Sequence, residues 1–135
     1  MIDGQSPHKD TPIVLAIDVG TTNAKAQFFD GEARPLGRAL RAGMPVRPDG
    51  TADADLLAAE VEKLLDRALA DAEEVVGKKT PEAVALTCAW HGLVGLDRDG
   101  TPLTALSTWF DGRAAAQALR LRARVSDLDA LHDRT

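Results

Sequence analysis

The stretch Ile17-Asp18-Val19-Gly20-Thr21-Thr22-Asn23-Ala24-Lys25 decides how the rest of the chain is read. An apolar run, Ile13-Val14-Leu15-Ala16-Ile17, stops at a carboxylate, a glycine and two hydroxyls follow, and a second run from Ala26 to Phe29 resumes after Lys25. That pattern predicts strand, tight turn, strand. A turn of this composition presents backbone N–H groups, two hydroxyls and an ammonium to a phosphate, while Asp18 at the strand end offers Mg²⁺ a hard oxygen ligand. No Gly-x-x-x-x-Gly-Lys-Ser/Thr occurs, which excludes a Walker-type loop.

Outward from this turn, the wholly apolar strand opened by Pro12 reads as a central strand covered on both faces. From Ala24 to Asp30 the pattern half alternates, with Ala26 and Phe28 on one side and Lys25, Gln27 and Phe29 on the other. Asp30-Gly31 predicts a hairpin. Leu36 to Ala42 is then a third strand, and Arg38 and Arg41 among its leucines suit an edge. Pro45, Pro48 and Asp49-Gly50 mark Met44 to Gly50 as a loop.

A helix follows, with Asp53 as N-cap, Asp55 in its first turn, and Leu57, Val61, Leu64, Ala68, Ala72 and Val75 at spacings of three and four. Glu60, Glu62, Asp66, Glu73 and Glu74 form its solvated face, and Gly77-Lys78-Lys79 with Pro81 stop it. Ala83 to Ala89 returns across the helix as a buried strand parallel to a neighbour. Leu93 to Asp97 and Leu103 to Thr108 read as two short strands joined by Arg98-Asp99-Gly100, and Ala114, Ala118, Leu121 and Val125 mark a second helix. Ser126-x-x-Asp129 opens a last fragment in the manner of a capping box. Four main strands with few helices to cover them make the domain read as truncated.

With 135 residues, 44% of them hydrophobic, the chain suits one domain, from residue 12 to 135 behind a disordered leader of residues 1 to 11. A net charge of -5 and 4% aromatics argue against a nucleic-acid partner. The single Cys88 excludes an intramolecular disulfide and reads as a buried small apolar residue. The absence of a long apolar run or a signal-peptide h-region argues for a cytoplasmic protein without a membrane partner.

The order of three antiparallel strands, helix and parallel strand, with Asp18-x-Gly20-Thr21-Thr22 between the first two, resembles the phosphate-binding part of the ribonuclease H-like, actin-like ATPase fold. This α/β fold is shared by actin, hexokinase, heat-shock chaperone ATPases and sugar kinases. Three patterns narrow the resemblance: Asp18-x-Gly20-Thr21-Thr22-x-x-Lys25, Trp90-His91-Gly92 after a strand, and Thr108-Trp109-Phe110-Asp111-Gly112-Arg113 before a helix. Together they resemble the N-terminal portion of an FGGY-family carbohydrate kinase such as gluconokinase or xylulokinase.

The resemblance implies ATP-dependent phosphorylation of a small sugar or sugar acid, with gluconate favoured and xylulose or another pentulose next. It implies that Asp18 lies near Mg²⁺, that Gly20, Thr21, Thr22 and Lys25 meet the phosphates of ATP, and that Trp90, His91, Trp109, Asp111 and Arg113 line or brace the sugar cleft. Trp90 departs from the Met common at its position. Family members have two domains, so this chain corresponds to a partial N-terminal domain whose partner is the missing C-terminal portion. The general base is an Asp from a later segment and adenosine is held largely by the second domain, so the isolated chain is expected to be inactive. A homodimer of the full-length enzyme is compatible with the resemblance.

Each motif also has a plainer reading. The turn is then an ordinary hairpin held by Asx or Ser/Thr bonds, His91 a core histidine, and Asp111 an acid at a helix N-terminus beside a surface base. Two other functions stand beside the kinase. One is a non-catalytic truncated or split-chain fragment. The other is a ribonuclease H-like metal-dependent nuclease led by Asp18, which needs several converging carboxylates where the strand ending at Ala89 offers Trp90 and His91.

Overall fold

The structure is a computed structural model and describes residues 11–77, 80–89 and 91–125. Four strands form the main sheet: β1 (Ile13–Val19), β2 (Asn23–Asp30), β3 (Pro35–Gly43) and, beyond a two-residue strand β4 (Thr51–Ala52), β5 (Ala83–Cys88). Their spatial order is β3-β2-β1-β5. The first three are antiparallel neighbours joined by short turns. β5 runs parallel to β1, a pairing that requires the long crossover supplied by α1 (Ala54–Val76).

Side chains alternate across these strands, and one sheet face carries the core. Ile13, Leu15, Ile17, Ala24, Ala26 and Phe28 are buried there, against Leu64, Ala68, Ala72 and Val76, which recur every fourth residue along one stripe of α1. Val76 takes the deeper place expected of Val75, which packs partly buried beside it, as do Leu57 and Val61. Asp53 caps the helix by accepting from the Leu56 N–H at 3.0 Å. At the other end Gly77 turns left-handed (φ 71°) and donates to the Glu73 carbonyl.

The opposite face is open. Val14 and Ala16 are half-buried and Asp18 is exposed, so β1 is central in the sheet but covered on one side only, against the expectation of burial on both. β5 is exposed along its whole length, with Leu86 67% accessible. The reason is placement: α1 packs over β2 and β3 and leaves β5 at the uncovered edge. Cys88 is accordingly exposed, not the buried apolar residue its type suggested.

β3 departs from a regular edge strand. Its register with β2 shifts between Ala26 and Phe28, and the extra length is taken up around Gly37, whose φ is 64°. A Cβ there would stand 2.5 Å from the Val75 Cγ1, and Gln27 Nε2 fills the bulge by donating to the Leu36 carbonyl at 2.6 Å. The predicted hairpin strands at 93–108 are also looser than expected. Leu93 bridges Ser107 and Leu96 bridges Pro102, but a regular strand, β6, survives only at Leu106–Ser107. Pro102 has no N–H for a ladder, and Gly95 donates to the Thr104 hydroxyl instead of a backbone carbonyl.

β6 pairs with β4, which lies immediately after the predicted Met44 to Gly50 loop. A 3₁₀ turn (Gly112–Ala114) and the exposed helix α2 (Ala115–Arg122) follow, the helix ending before Val125. Residues 1–10, Lys78, Lys79, Trp90 and the Ser126-x-x-Asp129 fragment lie outside the described residues. Among the described residues no helix is long and apolar enough to cross a membrane.

The β2–β3 turn carries a buried carboxylate. Asp30 accepts from the Arg34 and Glu32 backbone N–H groups and from Arg34 Nε at 2.8 Å. The backbone and side-chain bonds from Arg34 hold its carboxyl below the usual range. A depressed pKa contributes stability above the unfolded value of about 3.9 and loses it as pH falls through the folded value. The thermal midpoint of Asp30→Asn is therefore expected below that of the parent at pH 7, with the gap closing on titration below about pH 4. A gap that persists unchanged into that acid range speaks against the carboxylate's role.

Candidate active-site cleft

The turn between β1 and β2 is built from the backbone. Gly20 N donates to the Asn23 carbonyl at 3.0 Å, closing the turn, and Met44 N donates to the Thr22 carbonyl, tying it to the end of β3. A Cβ on residue 20 would meet the Asn23 oxygen at 2.9 Å, so the closure admits glycine and resists larger residues. Thr21 is half-buried, and Thr22 and Asn23 are exposed at the tip.

β1 and β5 are parallel, so both end at the same edge of the sheet, and the segment after Cys88 emerges beside the turn. A cleft of about 460 Å³ separates the two, lined by Gly20 and Thr21 on one side and His91, Gly92 and Thr108 on the other, over an apolar floor that includes Val46 and Leu57. The polar side chains on its walls are few, as in sites that orient a small ligand. His91 is exposed and left-handed (φ 65°), a backbone state that costs a non-glycine residue about 1 kcal/mol or more. No carboxylate of the described residues lines this cleft.

Asp18 and Lys25 stand directly opposite each other on the open sheet face, and Asp18 is in register with Thr87 of β5. They line a second, shallower cleft of about 380 Å³ with Gln27. The phosphate-turn residues are thus divided: Gly20 and Thr21 reach the first cleft, Asp18 and Lys25 the open face behind it. Asp18 fits a metal carried with a nucleotide, since Mg²⁺ commonly takes one or two carboxylates and completes its shell with water and phosphate oxygens. Among the described residues no group of three or more His, Cys, Asp or Glu side chains could cage a metal. Among the described residues, the converging carboxylates that two-metal nuclease chemistry needs are not found around Asp18, whose cross-strand partners are Lys25 and Thr87.

The third motif forms a corner against the β3–β4 loop. Asp111 caps the 3₁₀ turn by accepting from the Arg113 N–H, and its carboxylate receives Arg113 Nε at 2.9 Å and Nη2 at 2.6 Å. Arg113 Nη2 also donates to Ser107 Oγ at 3.1 Å. These side-chain and backbone bonds from Arg113 hold the Asp111 carboxyl well below the usual carboxylate range, and the same pairing pushes the guanidinium up. The pair is mutually engaged and stands outside the lining of the first cleft. Trp109 is 64% exposed and packs edge-on to Phe110 with ring centroids 5.5 Å apart. Trp90 lies outside the described residues.

Gly50, which the sequence marks only as part of a turn, organises this corner. Gly50 (φ 82°) accepts both the Thr108 N–H, at 2.9 Å, and the Thr108 hydroxyl, at 2.8 Å. A Cβ on Gly50 would come within 2.8 Å of the Asp111 nitrogen and 2.9 Å of its Cα. The Asp49-Gly50 dipeptide signals a turn, but nothing in the sequence says that a segment some sixty residues later sits on it.

Residues 13–135 match the FGGY family of carbohydrate kinases, N-terminal domain. The chain is 36% identical over 110 residues to an apulose kinase of Pectobacterium atrosepticum, covering 77% of this chain and 21% of that enzyme. It is 30% identical over 126 residues to a xylulose kinase of Streptomyces coelicolor, covering 92% of this chain and 25% of that enzyme. Its fold superposes on the gluconate kinase of Lactobacillus acidophilus with a TM-score of 0.73 at 21% identity, over 85% of this chain and 23% of that one. The chain therefore spans about a fifth to a quarter of the length of these relatives. With the sequence match running from the first strand to the last residue and the sheet-and-crossover architecture shared, the chain belongs to the FGGY family of carbohydrate kinases, within the N-terminal domain.

Proposed function

We propose that this chain supplies the phosphate turn and one wall of the sugar cleft of an ATP-dependent kinase for a small sugar or sugar acid, working in the cytoplasm. The observation that carries the reading is the meeting of two strand ends: the closed Gly20-to-Asn23 turn and His91 face each other across one cleft. Thr21 and Thr22 hydroxyls and the Lys25 ammonium hold the phosphates of ATP, and Asp18 holds Mg²⁺, which neutralises charge on the transferred phosphoryl group when bound. His91 donates to a substrate hydroxyl or carboxylate. Asp111 and Arg113, engaged with each other, act as a brace for the wall, with Trp109 exposed beside them, and Trp90 is assigned to the same sugar site.

Gluconate is the first substrate to test, because His91 suits a carboxylate, with xylulose and apulose beside it because of the relatives' activities. Phosphoryl transfer also needs a base for the attacking hydroxyl, and the described lining of the cleft has no carboxylate to serve. The base therefore comes from elsewhere in the complete protein. Sugar-dependent ADP formation is expected from the complete protein in a coupled assay with these three sugars, and none from the 135-residue chain alone. Failure of the complete protein with all three overturns the kinase reading, and turnover by the short chain overturns the assignment of the base.

A further inference from the structure

Thr108 lines the cleft beside His91 and Gly92, yet its hydroxyl is not free to act in either hydrogen-bonding sense. The Gly50 oxygen is a carbonyl and can only accept, so at 2.8 Å the proton between them belongs to Thr108 Oγ1. The Thr108 backbone N–H donates to the same oxygen at 2.9 Å, which fixes the residue on both its main chain and its side chain. Thr108 is half-buried, and the Asp111 N–H donates to its carbonyl, so the whole corner that follows is anchored through it. What the hydroxyl retains is its acceptor capacity alone, in a cleft whose other described polar side chains are Thr21, His91 and the weakly hydrogen-bonding Cys88 thiol.

We propose that Thr108 is a specificity-determining residue of the sugar site, reading one substrate hydroxyl strictly as a hydrogen-bond donor. This rests on the kinase reading above. A threonine with a rotating hydroxyl would accept from or donate to a ligand as required. With its proton committed to Gly50, Thr108 discriminates against a ligand that places an acceptor without a proton at that point, because two sets of lone pairs then face each other in a partly desolvated cleft. Gly50 enters the same device from behind: its left-handed backbone aims the carbonyl that holds the proton.

The test uses the complete protein and whichever of gluconate, xylulose and apulose it phosphorylates fastest, together with the monodeoxy and monofluoro analogues of that sugar. At one carbon the deoxy and fluoro analogues are expected to raise KM by a similar factor, about tenfold, since fluorine accepts weakly and cannot donate. Thr108→Val is expected to raise KM for the parent sugar by about the same factor, to leave KM for ATP unchanged, and to erase the discrimination at that carbon alone. Thr108→Ser, which keeps the hydroxyl and its bond to Gly50, is expected to restore it. Equal rises in the KM of sugar and ATP for Thr108→Val, or fluoro analogues tolerated as well as the parent at every carbon by the unmodified protein, overturn the inference. Turnover of none of the three sugars overturns the kinase reading instead.

Discussion

Replacing Asp18 with alanine in the complete protein is expected to lower kcat for sugar phosphorylation on the order of 10²- to 10³-fold, the scale seen when one preorganised charge or donor is lost from a transition state. The thermal midpoint is expected to change little. Asp18 lies at the end of β1 on the open face of the sheet and is exposed, so its removal leaves no cavity and strands no buried partner, and exposed substitutions of this kind fall within about 0.5 kcal/mol. Lys25, opposite it in register, remains in place to meet phosphate in the proposed reading. KM for ATP is therefore expected to rise less than kcat falls. Asp18→Asn separates charge from shape and should behave like the alanine variant. Activity within a few-fold of the parent in both would remove Asp18 from the metal and phosphate machinery.

Gly50→Ala is expected to cost about 2–4 kcal/mol of stability, combining a left-handed alanine with an overpacked contact. The second part is the informative one. The new Cβ would press on backbone atoms of Asp111 at 2.8 and 2.9 Å, which cannot rotate away as a side chain would. Gly100 provides the control: its φ is 84°, close to the 82° of Gly50, and a Cβ there meets nothing within 4 Å. Gly100→Ala should pay only the backbone cost, about 1–2 kcal/mol. The difference between the two denaturation midpoints then measures the clash itself. Equal losses in the two variants would mean that the corner from Thr108 to Arg113 yields freely and is not seated on the loop.

The core of this fold was legible wherever local pattern and burial agree. Leu64, Ala68 and Ala72 were placed by a period that only one helix face satisfies, and the Asp53 and Gly77 caps by backbone needs confined to a few residues. The three strands around Asp18 and Asp30 were equally local, since adjacent antiparallel strands are joined by turns that announce themselves. The exposure of β5 was not legible, because Val84, Leu86 and Cys88 have the composition of a covered strand while α1 packs over β2 and β3. The bulge at Gly37 escaped for a related reason: a shift in register depends on Gln27 and Val75, which approach from two other elements.

The site divides in the same way. The turn at Gly20 is written in contiguous residues, and its closure onto Asn23 follows from them. The role of Gly50 is set by contact with Thr108 and Asp111 across a long stretch of chain, and only the folded structure brings these together. Asp111 and Arg113 were legible as a pair but not in their orientation, which turns each toward the other.

The crossover through α1 does more than pair β5 with β1. It makes the cleft a meeting of two strand ends whose positions are set by the sheet, so the turn at Gly20 and the loop opposite it can change independently. Substitutions after Cys88 or along residues 104–108 reshape one wall of the cleft without touching the backbone closure at Gly20. A scaffold wired in this way puts the two walls of the cleft on stretches of chain that are far apart in sequence, so that one wall can be edited at a handful of loop positions while the strand ends stay where they are.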